Sequence, residues 1–334
     1  MHLRGLSLPF KSYLLVESAD TYDGKYYTVI PEKQNKVRVV KVLMKRAQAD
    51  KKYIKRILAE RECMAKLNYG EGCAFIVKML EVYQTPSRCC FVYESYSSVS
   101  LKELVQTYGV CSLEKCAIIA KQMVLALEYV HSKDKVHRDI RPKNFRLSPN
   151  GQLKLIGFEN ATDLKLGETL YMNLVLRTID YSAPELIRGA HGHEVDWWGF
   201  GAVIYYLVTG KLLFAQYADR AEKKNAIRDC EKIDLSEMQE DIYGADLIDL
   251  LKSLLTEREK RLDVRKIKEH GFLSHKFVNS DYEEVVIDGT YLTDAELYQY
   301  NLELYPNDKI PVKVLEFTAN NTATNLSMLD TVYE

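Results

Sequence analysis

Residues 137–144 read His-Arg-Asp-Ile-Arg-Pro-Lys-Asn, with an asparagine five positions after the aspartate. The His-Arg-Asp triplet alone would be a weak signal. Here, however, further short motifs stand on both sides of it in a fixed order along the chain. They are Val39-Val40-Lys41 and Ala59-Glu60-Arg61-Glu62 before it, and Ala183-Pro184-Glu185, Asp196-Trp197-Trp198 and Arg261 after it.

The composition is typical of a globular protein with a sizeable core. Of the 334 residues, 47% are hydrophobic and 28% are charged, and the formal net charge is −1, so no charge excess indicates nucleic acid or an anionic membrane as a partner. The seven cysteines are scattered and odd in number, which favours reduced thiols over a disulfide framework. The most apolar stretch, 195–208, contains Asp196 and is too short for a membrane span, so we expect a buried helix. Because the N-terminus has no run typical of a signal peptide, we expect a cytoplasmic or nuclear protein.

The secondary-structure patterns change from strand-like to helical along the chain. Strand-like runs lie at 13–16, 26–29, 37–42, 75–83 and 89–93, and helical patterns lie at 47–67, 113–131, 195–209 and 245–255. This order predicts an α+β protein with a β-rich first part and a larger helical second part. The last stretch, 277–334, is polar, acidic and rich in tyrosine, and is interpreted as an extended tail.

Together, the motifs resemble those of the protein kinase family, in which His-Arg-Asp and the asparagine form the catalytic loop. The run that begins at Asp196 and the later Lys309-Ile310-Pro311 resemble the AGC group, the relatives of protein kinase A. The resemblance implies a two-lobed kinase fold of the serine/threonine type over residues 11–276. The expected segments are an N-terminal piece 1–10, a small lobe at about 11–95, a helical lobe at about 96–276 and an AGC-like tail at 277–334.

The resemblance also implies a role for each matching residue. In an active kinase Lys41 would hold the phosphate oxygens of ATP, oriented by Glu60, and Val39 and Gly24 would lie along the nucleotide. Asp139 would accept the substrate hydroxyl proton, Asn144 would bind a metal ion, and Arg141 would face the transferred phosphate. A structural interpretation stays open for all of these residues, with Lys41–Glu60 as a buried ion pair and Asp139 and Asn144 as anchors of the loop.

The pattern departs from the family where the metal-binding Asp-Phe-Gly is expected. The chain has Gly157-Phe158-Glu159 there, and a glycine has no side chain with which to hold magnesium. If the chain is extended there, residues 157 and 159 would face the same side, and Glu159 would be an alternative metal ligand. The other interpretation is a glutamate that is solvated or paired with a lysine.

The nucleotide-binding positions depart from the family as well. Two of the three glycines of the phosphate loop are replaced by Ala19 and Thr21, and Tyr26 takes the position that covers the adenine. Arg146 occupies a normally apolar position below the adenine, where a guanidinium is costly unless it is paired with a carboxylate such as Glu94. The alternative is that Arg146 stacks on a base. We therefore expect weak or absent ATP binding.

The structural framework of the family, by contrast, is complete. Met64, Met79, His137 and Phe158 match the column that links the lobes, with Asp196 as its anchor, and Glu185 and Arg261 match a structural ion pair.

A complete structural framework, combined with replaced metal-binding and nucleotide-binding residues, predicts a pseudokinase that acts as a scaffold or allosteric regulator. The expected partner is a protein, either an active kinase or a substrate that the pseudokinase presents. No cofactor is expected, ATP binding stays open, and magnesium is not expected. The alternatives are a weakly active serine/threonine kinase with atypical metal use and a module that binds nucleotide without magnesium.

Overall fold

The computed structural model describes most of the chain up to Ser274. The described residues are 13–21, 24–31, 37–45, 51–84, 88–97, 99–148, 151–172, 178–229, 233, 235–236, 238–274 and 313–314. They divide into two compact units. The first, the small unit, contains the described residues up to Asn68, those from Val77 to Ser97, and residues 313–314. The second, the large unit, contains Tyr69–Ile76 and the described residues from Val99 to Ser274.

The small unit is built on an antiparallel sheet with one helix. Its strands are β1 (Tyr13–Thr21), β2 (Gly24–Pro31), β3 (Arg38–Met44), β4 (Met79–Gln84) and β5 (Arg88–Glu94), and its helix is α1 (Lys51–Leu67). The spatial order β1-β2-β3-β5-β4 places β3 and β5 side by side, with Lys41 opposite Phe91 and Val39 opposite Tyr93. The strand Lys313–Val314 pairs with β1. The rest of the predicted tail and the segment 1–10 lie outside the described residues.

The core of the small unit is formed by β-branched residues and cysteines that alternate along neighbouring strands. Val29, Val40, Val42, Cys90 and Val92 are all at most 5% exposed and pack together, as expected for side chains on one face of a sheet. Burial raises the pKa of Cys89 to about 11 and that of Cys90 to about 12. These two thiols are therefore protonated and unreactive near neutral pH.

One predicted strand is wrong in its first half. The apolar run 75–83 was expected to be a single strand, but β4 begins only at Met79. Phe75, Ile76 and Val77 are buried, and Ile76 forms an isolated bridge with Leu155, both within the large unit. The run is apolar because its side chains enter a core, which is why the pattern alone did not distinguish it from a strand.

The large unit is mainly helical. Its helices are α2 (Leu101–Tyr108), α3 (Leu113–Ser132), α4 (Pro184–Arg188), α5 (Glu194–Thr209), α6 (Arg220–Arg228), α7 (Glu240–Tyr243), α8 (Ala245–Leu254), α9 (Val264–Glu269) and α10 (Gly271–Ser274). Short strands complete it: β6 (Lys135–Val136), β7 (Phe145–Leu147), β8 (Leu153–Leu155), β9 (Thr162–Asp163), β10 (Leu170–Tyr171) and β11 (Ala190–His191). The fold class is confirmed as α+β, with a β-sheet lobe and a helical lobe.

Helix α5 is the centre of the large unit. Every residue from Val195 to Val208 is buried, which confirms the predicted core helix. A Cβ at Gly199 would lie 2.7 Å from the Cβ of Ile140, so this glycine lets the helix approach the 137–144 loop closely. Among the residues that the structure describes, no helix combines the length and apolar character needed to cross a membrane.

Candidate active site

In the small unit, three buried polar side chains meet between the sheet and helix α1. The ammonium of Lys41 donates to both carboxylate oxygens of Glu60, at 3.0 and 2.8 Å. The hydroxyl of Tyr93 donates to Glu60 Oε1 at 2.6 Å. Lys41, Glu60 and Tyr93 are 1%, 3% and 4% exposed. The predicted pairing of Lys41 with Glu60 is therefore present in the structure, with Tyr93 as a third member.

The other predicted nucleotide residues of the small unit surround this group. The Lys41 ammonium lies 5.7 Å from the centre of the Tyr26 ring, within range of a cation–π contact. Val39 is buried, and Gly24 has a φ of 140°, with its missing Cβ 2.7 Å from the carbonyl oxygen of Val42. Gly24 thus has a structural reason to be glycine at this hairpin, whether or not a phosphate approaches it.

In the large unit, the 137–144 loop connects Asp139, Arg141 and Asn144. The Asn144 amide nitrogen donates to the Asp139 carbonyl at 2.7 Å and to Asp139 Oδ2 at 3.0 Å. Arg141 Nε lies 3.2 Å from Asp139 Oδ1, and Arg141 Nη1 donates to the Thr178 hydroxyl at 3.1 Å. Both oxygens of the Asp139 carboxylate therefore have neighbours within the protein.

The charge state of Asp139 reflects competing surroundings. Burial raises its pKa, while the Arg141 charge, His137 and the Asn144 hydrogen bond act in the opposite direction. The nearby Glu159 carboxylate contributes a further small upward effect. A raised pKa makes a carboxylate a somewhat stronger base, so Asp139 retains the property that proton abstraction requires.

The chain turns sharply at Gly157, where the family has its metal-binding aspartate. Gly157 adopts a left-handed conformation with φ 85° and ψ 47°, and Phe158–Asn160 form a 3₁₀ turn. The condition under which Glu159 would face the same side as residue 157, an extended chain, is therefore not met. Glu159 still lies close enough to act electrostatically on Asp139.

Asp196 holds the backbone of the 137–144 loop through hydrogen bonds. Its carboxylate accepts hydrogen bonds from the His137 and Arg138 amides at 2.9 and 2.8 Å, and its Oδ2 lies 2.9 Å from His131 Nε2. Arg138 has a φ of 64°, which is uncommon for a side-chain-bearing residue. The bond from its amide to Asp196 fixes this conformation and thereby the direction of Asp139.

The members of the predicted column lie in both units. In the large unit the His137 ring meets Phe158 edge-on at 4.7 Å, and His137 Nε2 donates to the Ile156 carbonyl at 3.1 Å. In the small unit Met64 is 1% exposed and Met79 begins strand β4.

The predicted ion pair between Glu185 and Arg261 is present and buried. Arg261 Nη1 and Nη2 both bind the Glu185 carboxylate, the latter at 3.2 Å, and Arg261 also donates to the carbonyls of Leu254, Thr256 and Glu194. Its guanidinium lies 5.2 Å from the Trp198 ring, so one side chain connects α4, α5 and α8.

Arg146 has an acidic neighbour that the sequence did not suggest. Its Nη1 lies 3.9 Å from Glu103 Oε2 of helix α2, where Glu103 also forms a capping box with Ser100. Glu94, the partner considered from the sequence, belongs to the small unit and accepts a hydrogen bond from the Lys78 amide at 3.0 Å.

The residues of the large unit do not fit a magnesium ion in the manner of the family. Magnesium is usually held by carboxylates together with substrate phosphates, and position 157 supplies no side chain. Among the described residues no group of three or more His, Cys, Asp or Glu side chains is arranged to hold a metal ion.

Tyr93 is the site residue that the sequence reasoning missed. It was counted within the apolar run 89–93, and a tyrosine there is typical of a buried strand. The only available signal was its position in the strand next to Lys41, which becomes informative once the register of β3 and β5 is known.

Comparison with known proteins finds one matching family model and several similar sequences. The family model described as "Protein kinase domain" matches residues 22–273. The chain is 28% identical over 254 residues to the serine/threonine-protein kinase AtPK1/AtPK6 of Arabidopsis thaliana, which is 74% of this chain and 52% of that protein.

Two further relatives come from other organisms. Over 252 residues the chain is 28% identical to G protein-coupled receptor kinase 2 of Caenorhabditis elegans, covering 71% of this chain and 34% of that one. Over 143 residues it is 33% identical to the developmentally-regulated protein kinase 1 of Dictyostelium discoideum, covering 42% and 20%. The chain thus spans about half or less of the length of these relatives.

Proposed function

Because this chain belongs to the protein kinase family, we propose that it is an AGC-like member that has lost phosphotransfer and acts as a scaffold or allosteric regulator. Gly157 carries this proposal. In the family mechanism the aspartate at this position holds the magnesium that bridges the ATP phosphates and neutralises the developing charge. Loss of a single preorganised electrostatic group typically lowers the rate about 10²–10³-fold, and loss of the metal ligand acts on the same step.

The state of Lys41 supports weak or absent ATP binding. Its ammonium is 1% exposed and is bound to both oxygens of Glu60. The Tyr26 ring lies 5.7 Å from the same ammonium, so a phosphate could reach Lys41 only if the side chains around it moved. Position 157 is a glycine and supplies no metal ligand that would help to hold that phosphate.

A weakly active serine/threonine kinase is the second candidate, and a specific arrangement favours it. Asp139, Asn144, Arg141 and Thr178 form a connected hydrogen-bonded group around a carboxylate whose pKa is raised mainly by burial. Relatives that match most of the chain are named as serine/threonine kinases. The third candidate, a nucleotide-binding module independent of magnesium, draws on the complete Lys41–Glu60 pair.

A phosphotransfer assay separates the first two candidates. The full chain would be incubated with radiolabelled ATP and either magnesium or manganese, with Asp139→Asn as the matched variant and an active serine/threonine kinase as a positive control. We expect the same background from both forms of the chain. Turnover that Asp139→Asn abolishes would establish the weakly active kinase instead.

Calorimetric titration with ATP, with and without a chelator, tests the third candidate. Negligible heat in both conditions is expected for a scaffold, whereas equal binding in both would identify a metal-independent nucleotide module. The scaffold role itself predicts that Asp139→Asn restores full function in cells from which the native copy has been removed. An enzyme would lose that function with the same substitution.

A further inference from the structure

The carboxylate of Glu60 is fully engaged inside the small unit by two different strands. Lys41 on β3 donates to both of its oxygens, and Tyr93 on β5 donates to Oε1 at 2.6 Å. All three side chains are at most 4% exposed. A buried carboxylate is costly unless its charge is paired and its oxygens are hydrogen-bonded, so each of these contacts acts on the stability of the same group.

The Tyr93 hydroxyl is suited to be a permanent donor. Burial, followed by the neighbouring Glu60 charge, raises the pKa of Tyr93 well above 10. The phenol therefore keeps its proton at every physiological pH. The bond from the Tyr93 hydroxyl to Glu60 Oε1, at 2.6 Å, is short and charge-assisted. Such a hydrogen bond is about twice as strong as one between neutral groups.

The ring of Tyr93 is also fixed in place. It lies 6.4 Å from the ring of Phe91 on the same strand and 6.4 Å from the ring of Tyr96. Its backbone pairs with Val39, two residues before Lys41. The hydroxyl thus extends from strand β5 to the buried carboxylate of Glu60 on helix α1.

We infer that Tyr93 is a positioning residue that locks helix α1 onto the sheet and keeps the small unit assembled without nucleotide. Ile57, Cys63, Met64 and Leu67 of this helix are buried and contribute packing, but without Tyr93 the polar connection through Glu60 would depend on the flexible Lys41 side chain with its four rotatable bonds. Tyr93 adds a second, stiffer connection from a different strand. Helix α1 is then held on the sheet in one arrangement, and this arrangement does not depend on ATP. This inference holds whether or not the chain transfers phosphate.

Hydrogen–deuterium exchange of the full chain without nucleotide tests the lock. The variant is Tyr93→Phe, which removes only the hydroxyl. Its matched control is Tyr83→Phe on the neighbouring strand β4, where the hydroxyl lies near the Cys90 thiol. We expect exchange in the peptide 51–67 to become about ten-fold faster in Tyr93→Phe, as for the loss of one hydrogen bond to a charged group. Exchange in this peptide should be unchanged in Tyr83→Phe, and peptides from α5 should be unchanged in both.

A double-mutant cycle with Glu60→Gln shows whether the hydroxyl acts through the carboxylate. In the Glu60→Gln background the bond from Tyr93 is no longer charge-assisted, so the effect of Tyr93→Phe should shrink to about two- to three-fold. The inference is overturned if exchange of 51–67 in Tyr93→Phe stays within two-fold of the original chain. It is also overturned if the full ten-fold effect persists when Glu60 is glutamine, because the hydroxyl would then act on the core rather than on this carboxylate.

Discussion

Asn144 occupies the space that a side chain at position 157 would need. A Cβ built on Gly157 would lie 2.8 Å from both Cγ and Oδ1 of Asn144 and 2.9 Å from its Nδ2. The Asn144 amide is held there by its hydrogen bonds to Asp139. In this backbone conformation, a side chain at position 157 would overlap with the Asn144 amide. Positions 157 and 144 are the two that bind metal ions in the family.

Gly157→Ala should lower the free energy of unfolding by about 2–3 kcal/mol, because it adds a contact with Asn144 to the strain of a left-handed residue. Gly167→Ala is the matched control, since Gly167 has the same φ of 85° but no atom within 4 Å of its missing Cβ. We expect the control to lose only about 1 kcal/mol. Unfolding in urea measures both variants. Equal losses of unfolding free energy would show that the Asn144 side chain moves aside at little cost.

Asp196→Ala should destabilise the large unit by about 3–5 kcal/mol, because it leaves the buried His137 and Arg138 amides without their acceptor. Asp219 is a suitable comparison. It also accepts from two backbone amides, at 2.8 and 2.9 Å, but at an exposed helix start. Asp219→Ala should cost about 1 kcal/mol. The fluorescence of Trp197 and Trp198, the only two tryptophans, reports unfolding in the same helix as Asp196. Similar losses of unfolding free energy in both variants would contradict the expectation that a buried acceptor stabilises the protein more than an exposed one.

Arg261→Lys should be strongly destabilising, by about 3 kcal/mol, although it conserves the charge. Lysine lacks the planar fork that reaches the Glu185 carboxylate and three carbonyls together. Arg188→Lys provides the control, since Arg188 binds Glu257 through two nitrogens at 2.9 and 3.0 Å but is 38% exposed. Its replacement should cost less than about 1 kcal/mol. Thermal melting of both variants measures the difference, and a ranking in the opposite order would contradict the expectation.

The stability of the large unit should fall in mild acid because of His191. This side chain is 0% exposed, and burial, followed by the Arg138 charge, lowers its pKa to about 4, with Asp196 opposing and Arg258 adding to the effect. The ordinary pKa is 6.5, so the unfolded chain takes up a proton first as the pH falls. The free energy of unfolding therefore decreases between about pH 6.5 and 4, by about 3 kcal/mol from this group.

Replacement of the imidazole isolates this contribution. His191→Gln should flatten the dependence of stability on pH in that interval. Denaturation of the original chain and of this variant in urea at several pH values measures the difference. An unaltered slope in His191→Gln would assign the acid sensitivity to other groups.

Much of the fold was predictable because its signals are local. The helix 195–209 was read from a continuous apolar run, and the structure has it at Glu194–Thr209. Phe75–Lys78 was misread because an apolar run reports burial and does not say whether the backbone is extended. The AGC assignment and the domain limits stay predictions, since most of the tail lies outside the described residues.

The sequence by itself determined what chemistry is available, because the presence of an aspartate or a glycine at position 157 does not depend on folding. The motif spacing was enough to locate that position beside Asp139 and Asn144. Only the tertiary structure decided which groups share hydrogen bonds. Tyr93 and Glu60 are 33 residues apart, and Asn144 fills the space at Gly157 only because the chain turns there. Such contacts depend on strand register and backbone direction, and neither is written in the order of the residues.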